Sequence, residues 1–214
     1  MKKLLLVLFI MVVSANIAFA GTPMTNQGDH ALSFYVNGLG DFGVGEVWVA
    51  GASGLGNIYG FGGKYFMSQD MALRANLGFG TSTVKTPAGT AGDNESTNLE
   101  IALRPGLEWH CPPVANSISP YWGFEAMFGY AKNTFKPAGG TESNTSGQVF
   151  GAGVFAGAEW FPWDAISFNA EYGLGFSSSS TKSESGGVSV DGPTYTNIGI
   201  MSWAVGLNVY MGNR

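Results

Sequence analysis

Three features of the sequence predict an all-β chain closed into an antiparallel up-and-down transmembrane β-barrel of about eight strands. The first is strict alternation: in NLEIALRPGLEWH, Leu99, Ile101, Leu103, Leu107 and Trp109 share one parity, while Glu100, Ala102, Arg104, Gly106, Glu108 and His110 share the other. A period of two places such sets on opposite faces of a strand. The second is a charged fraction of 12%, about half the ~25% of ordinary soluble domains, beside 33 glycines and 14% aromatic residues. The third is that no apolar run after the first twenty residues reaches the ~20 residues of a spanning helix, which leaves a closed barrel as the way to satisfy backbone groups in lipid.

Alternation bounded by turn residues predicts strands over 31–39, 57–66, 71–84, 98–110, 121–132, 149–160, 165–177 and 195–211. Most match the ~9–11 residues that cross a bilayer at a tilt. MSQD, CPPVANSISP and FPWD read as short turns. The stretch 40–54 and the segments KTPAGTAGDNEST, KPAGGTESNTSG and SSTKSESGGVSVDGPT read as long polar loops. Two local irregularities are expected. Ile198 and Ile200 give way to Trp203, Val205, Leu207 and Val209, a parity slip that a β-bulge near Met201 reconciles. Pro105 removes a ladder donor and predicts a second bulge.

Residues 1–20 read as a cleaved signal peptide: Lys2 and Lys3, an apolar run from Leu4 to Val13, then Ala18 and Ala20 around Phe19. Residues 21–214 are then a single barrel domain beginning at Gly21. The formal charge of −5 becomes more acidic once Lys2 and Lys3 are removed, which gives no reason to expect nucleic acid as a partner. Cys111 is the sole cysteine, so no intrachain disulfide forms.

The parity opposite the apolar one is mostly glycine, alanine and serine. That suits a crowded lumen better than a solvated exterior, so the apolar parity is expected to face lipid. An arginine turned to lipid at mid-membrane costs roughly 2–4 kcal/mol, which places Arg74 and Arg104 inside. Trp109, Trp122, Trp160 and Trp163 stand beside the short turns, as an interfacial girdle requires. Trp203 falls outside that girdle.

With its leader, alternating strands, unequal connections and closing VGLNVYM, the chain resembles the small outer-membrane β-barrel proteins, the OmpA-like and OmpX-like transmembrane domains of Gram-negative bacteria. It departs from them in ending Gly212, Asn213, Arg214 after Met211, where an aromatic residue usually closes the chain. The resemblance implies residence in the outer membrane, insertion by a barrel-assembly machinery, and outer-membrane lipid as the surrounding partner of a monomer. No cofactor or metal is expected, and no extracellular ligand is named by the polar loops.

Inward parity gathers Lys64, Arg74 and Arg104 with Glu100, Glu108, Glu125, Glu159 and Glu171. Strand positions put Arg74 near Glu108 and Arg104 near Glu125, and Arg104 is expected to neutralise Glu171 as well. Such a network fills an eight-stranded barrel, because isolated buried charges are costly. The expected role is non-enzymatic and structural, with loops available for surface contact. A porin-like path for small solutes or cations is the alternative, since the carboxylates outnumber the cations. A lipid-modifying enzyme is the third reading, and it lacks a placed histidine: His30 and His110 are expected in polar surroundings at the short-turn rim. GLGDFG at 38–43 matches a dinucleotide-binding spacing, but no helical pattern follows it.

Overall fold

The computed structural model describes residues 21–23, 25–37, 59–89, 92–114 and 117–211. Residues 1–20, GLGDFG and the whole of the expected first loop, 40–54, lie outside these residues. The described chain forms β1 (His30–Asn37), β2 (Tyr59–Phe66), β3 (Met71–Pro87), β4 (Asp93–His110), β5 (Ile118–Lys136), β6 (Ser143–Trp163), β7 (Ile166–Ser185) and β8 (Val188–Met211). Each strand pairs with its sequence neighbours, and β1 pairs with β8 from His30↔Met211 to Asn37↔Ala204, so the ring closes.

Period-two alternation sets the two faces. Leu32, Phe34, Leu73, Phe79, Leu103, Phe124, Phe128, Phe150, Val154 and Leu174 are exposed on the outside, while Ser33, Lys64, Arg74, Glu108, Glu125, Glu159 and Asn208 are buried within. Hydrocarbon-like exposure of this extent suits an apolar surrounding. On β7 the outer apolar set runs from Ile166 to Phe176 before Ser178 and Ser180 take over. Ten steps of about 3.3 Å, tilted by about 40°, give a band about 25 Å tall.

Above that band the structure departs from the sequence reading. The three other polar segments expected as long loops are largely continuations of the strands: β3 and β4 pair up to Pro87↔Asp93, β5 and β6 up to Phe135↔Ser143, and β7 and β8 up to Ser185↔Val188. The connections shrink to tight turns, such as Gly186 and Gly187, both at positive φ as a two-residue hairpin turn requires. Apolar alternation disappears in these extensions because water meets both faces. Serine, threonine and asparagine take its place and bond across strands, as in Asn133 Nδ2 to Ser96 Oγ (3.1 Å) and Thr134 Oγ1 to Asn144 Oδ1 (2.7 Å).

The β7–β8 register shifts by one residue between Gly173↔Ser202 and Leu174↔Ile200, so Met201 is the extra residue that resets parity. At Pro105 the expected bulge is absent. Pairing with β5 lapses at Arg104 and Pro105, yet Leu103↔Phe128 and Gly106↔Glu125 stay in one register, because losing a donor inserts no residue.

Candidate functional site: the charged lumen

Strand register places the first charges. Lys64 on β2 lies directly opposite Arg74 on β3, and Ala72 lies opposite Glu108 on β4. Two cations side by side repel unless carboxylates reach between them. Here they do: Lys64 Nζ is 2.5 Å from Glu108 Oε1 and 3.1 Å from Glu159 Oε2 on the far wall. Arg74 Nη1 meets Glu171 Oε2 at 2.6 Å and Glu108 Oε2 at 3.5 Å, while its Nη2 donates to Glu125 Oε2 at 2.8 Å. The guanidinium lies over the Phe155 ring, 3.6 Å from its centroid.

Glycine on the lumen face makes these crossings possible. Gly106 stands between Arg74 and Glu125 in register, and a Cβ there would lie 2.7 Å from Phe124 O and 3.4 Å from Arg74 Nε. Without a side chain at 106, Arg74 passes over β4 to reach β5. Gly157 likewise lets the Tyr121 ring lie across β6, since a Cβ at 157 would approach Tyr121 Oη to 2.7 Å.

Glu159 is the most heavily bonded carboxylate. Its Oε1 accepts from Tyr210 Oη (2.7 Å), Asn208 Nδ2 (2.6 Å) and Ser167 Oγ. Tyr121 Oη donates to Glu171 Oε2 (3.2 Å) and accepts from Asn169 Nδ2 (3.0 Å). Such saturation is what a fully buried charge requires. Toward the short-turn end, Ala31, Phe66, Ala72, Phe161 and Tyr210 form a buried apolar layer.

Three sequence expectations change at the site. Arg104 pairs with Glu125, but Arg74, not Arg104, reaches Glu171, because Arg74 projects across the lumen whereas Arg104 stays near its own neighbour. Glu100 is buried on the inner wall and forms no ion pair among the described residues; its register partners are Gly80 and Ala131. His110 stands at the short-turn end of β4 with polar partners, but it is not open to the rim. It is buried, its ring centroid 5.0 Å from that of Phe66 and 5.4 Å from that of Tyr121, with Nε2 donating to Glu108 Oε1 (2.6 Å) and Nδ1 2.7 Å from Ser119 Oγ. Its shared parity with Glu108 was the available signal. His30 is exposed.

Glu108, His110 and Glu159 bring ligand atoms within 4.8 Å of one another, a spacing a metal ion could use. The Lys64 ammonium already bridges Glu108 and Glu159, so a metal would have to displace a buried cation.

Trp109, Trp122, Trp160 and Trp163 all stand on the outer face near the short-turn end. Trp109 stacks on Trp122 with centroids 5.0 Å apart and planes 19° apart, and Trp160 lies against Phe168 at 6.0 Å. Trp163 pairs with Ile166 at the β6–β7 turn.

A closed antiparallel barrel, apolar outside and charged within, defines the class of outer-membrane β-barrels. The family model for the outer membrane protein beta-barrel domain matches residues 5–210, and the chain belongs to that family. Among curated proteins, none matches the sequence. Solved structures similar to this chain include two of outer-membrane proteins. The crystal structure of Ail, the attachment invasion locus protein of Yersinia pestis, has 15% identity and a TM-score of 0.44, covering 86% of this chain and 99% of its own. A major outer membrane protein from Thermus thermophilus has 10% identity and a TM-score of 0.48, covering 87% of this chain and 100% of its own.

Proposed function

We propose that this outer-membrane barrel is a non-enzymatic structural protein with a filled lumen, whose tall hairpins offer a surface for contact outside the cell. The observation that carries this reading is the lumen itself. Lys64, Arg74 and Glu159 are at most 2% exposed, and the apolar layer of Phe66, Phe161 and Tyr210 lies toward the short-turn end. A continuous file of water through such a section would have to break several ion pairs at once. Planar-bilayer recordings of the purified protein are expected to show no stable openings, and large persistent openings would instead favour the porin-like reading. That second reading draws on one observation: Glu108, Glu125, Glu159 and Glu171 outnumber Lys64, Arg74 and Arg104 in the paired network, which favours cations over anions.

In this reading the short turns face the periplasm and the hairpins face outward, the usual build of bacterial barrels. Lipid covers the outer apolar band, the protein acts as a monomer, and a barrel-assembly machinery inserts it after its leader is removed. Cys111, exposed in the turn after β4, is a natural probe of orientation. An impermeant thiol reagent on intact cells is expected to miss Cys111 and to label a cysteine introduced at Ala138, in the β5–β6 turn. The reverse pattern would invert the topology.

A further inference from the structure

We propose that the chain carries a docking site for its own processed N-terminus, and that the α-ammonium of Gly21 anchors a strap across the short-turn mouth of the barrel. The proposal rests on export with cleavage of the Ala20–Gly21 bond. Hydrolysis there leaves a carboxylate on Ala20 and an ammonium on Gly21.

The site is built from the end of β6 and the turn that follows. Gly21 N donates to Phe161 O at 3.0 Å, and Thr22 N donates to Asp164 Oδ1 at 3.0 Å. Gly21 is buried there, although Thr22 beside it is exposed. Its backbone lies so close to the turn that a Cβ would collide with Trp163 C and would come 2.7 Å from Asp164 N. Only glycine fits this seat. The expected cleavage point thus coincides with the residue whose lack of a side chain the seat demands. The Phe161 carbonyl is an acceptor that suits an ammonium, the Asp164 carboxylate holds the next residue by its backbone N–H, and capture of a terminal amine in a backbone seat is a recurring recognition mode.

The other end of the segment is tied to the opposite wall. Gly28 N donates to Phe66 O at 2.9 Å, and Phe66 N donates to Asp29 O at 2.9 Å. In the ring order, β6 and β2 are separated by β7, β8 and β1, half of the circumference. Gly21 thus sits on one wall and Gly28 on the other, and the seven residue steps between them can span at most about 25 Å. Phe66 and Phe161, the residues whose backbones hold the two ends, also contribute the rings of the apolar layer. The strap and that layer therefore form one closure, fixed at one end by a charge that exists only after processing.

Intact mass followed by amine acetylation near neutral pH tests the proposal on purified, folded protein. The mass is expected to begin at Gly21, and the Gly21 amine is expected to react at least tenfold more slowly in the folded barrel than in the denatured chain. Asp164→Ala, and separately a chain with one alanine inserted between Ala20 and Gly21, are expected to bring the folded rate within about threefold of the denatured one. Gly21→Val is expected to do the same if it folds. A mass retaining residues 1–20 would refute the export reading, and a different starting residue would refute the assigned anchor. A chain starting at Gly21 whose amine reacts equally fast when folded and unfolded would refute the docking site alone.

Discussion

Arg74→Ala is expected to destabilise the folded barrel by about 3–5 kcal/mol, the cost of breaking a buried network by removing one partner. Arg74 touches Glu171, Glu125 and Glu108, and its side chain is 1% exposed, so no water replaces it without rearrangement. Among the described residues Arg104 has only Glu125 as an ionic partner, and its side chain is 13% exposed, so Arg104→Ala is expected to cost less. Urea titration of the detergent- or liposome-folded proteins measures both. The network explanation makes a further demand. Arg74→Met combined with Glu125→Gln and Glu171→Gln is expected to recover much of the loss, because the penalty lies in the stranded carboxylates. If the triple variant is as unstable as Arg74→Ala, the guanidinium acts through its packing on Phe155 instead.

Leu103→Arg is the second large effect. Leu103 is exposed on the outer face, in register between Leu77 on β3 and Phe128 on β5, well inside the apolar band. A cation there is expected to cost roughly 2–4 kcal/mol on folding into a bilayer. Ala102→Ser, one residue away on the inner wall between Gly78 and Gly129, is expected to change stability by less than about 1 kcal/mol. Folded yield in liposomes separates the two, and equal tolerance would reverse the assignment of faces.

Parity was legible in the sequence because the band demands it. Residues such as Leu73 and Arg74 have no freedom to exchange faces when one side is hydrocarbon and the other is a packed lumen. The same cause explains why the upper hairpins were read as loops. From Ser180 to Ser185 and from Val188 to Thr196 both faces meet water, so nothing in the pattern separates a polar strand from a polar loop; only the backbone ladder does. Met201 was legible as a parity slip, whereas Pro105 misled because a missing donor resembles a bulge in sequence but does not change the count of residues.

The site was legible in membership more than in pairing. Strand order predicts contacts between neighbours, such as Arg104 with Glu125. It does not predict which side chains meet across the lumen, since that depends on strand tilt and on where glycine leaves a path. The Arg74–Glu171 contact, 97 residues apart, depends on both. His110 is more buried than its place in the sequence suggests, for a related reason. Its position at the end of β4 suggested the rim, but Phe66 and Tyr121 from the adjoining strands cover it.

The β1–β8 ladder also governs the order in which the molecule forms. His30 pairs with Met211, so the contact that seals the ring joins the first strand of the described chain to the last. Closing a loop that long carries a large entropic cost, and nothing repays it until β8 is in place. Hairpins β3–β4, β5–β6 and β7–β8 need only local turns and can form early. The ring itself is all or none, and its inner charges and outer apolar face can find their separate surroundings only in one late concerted step.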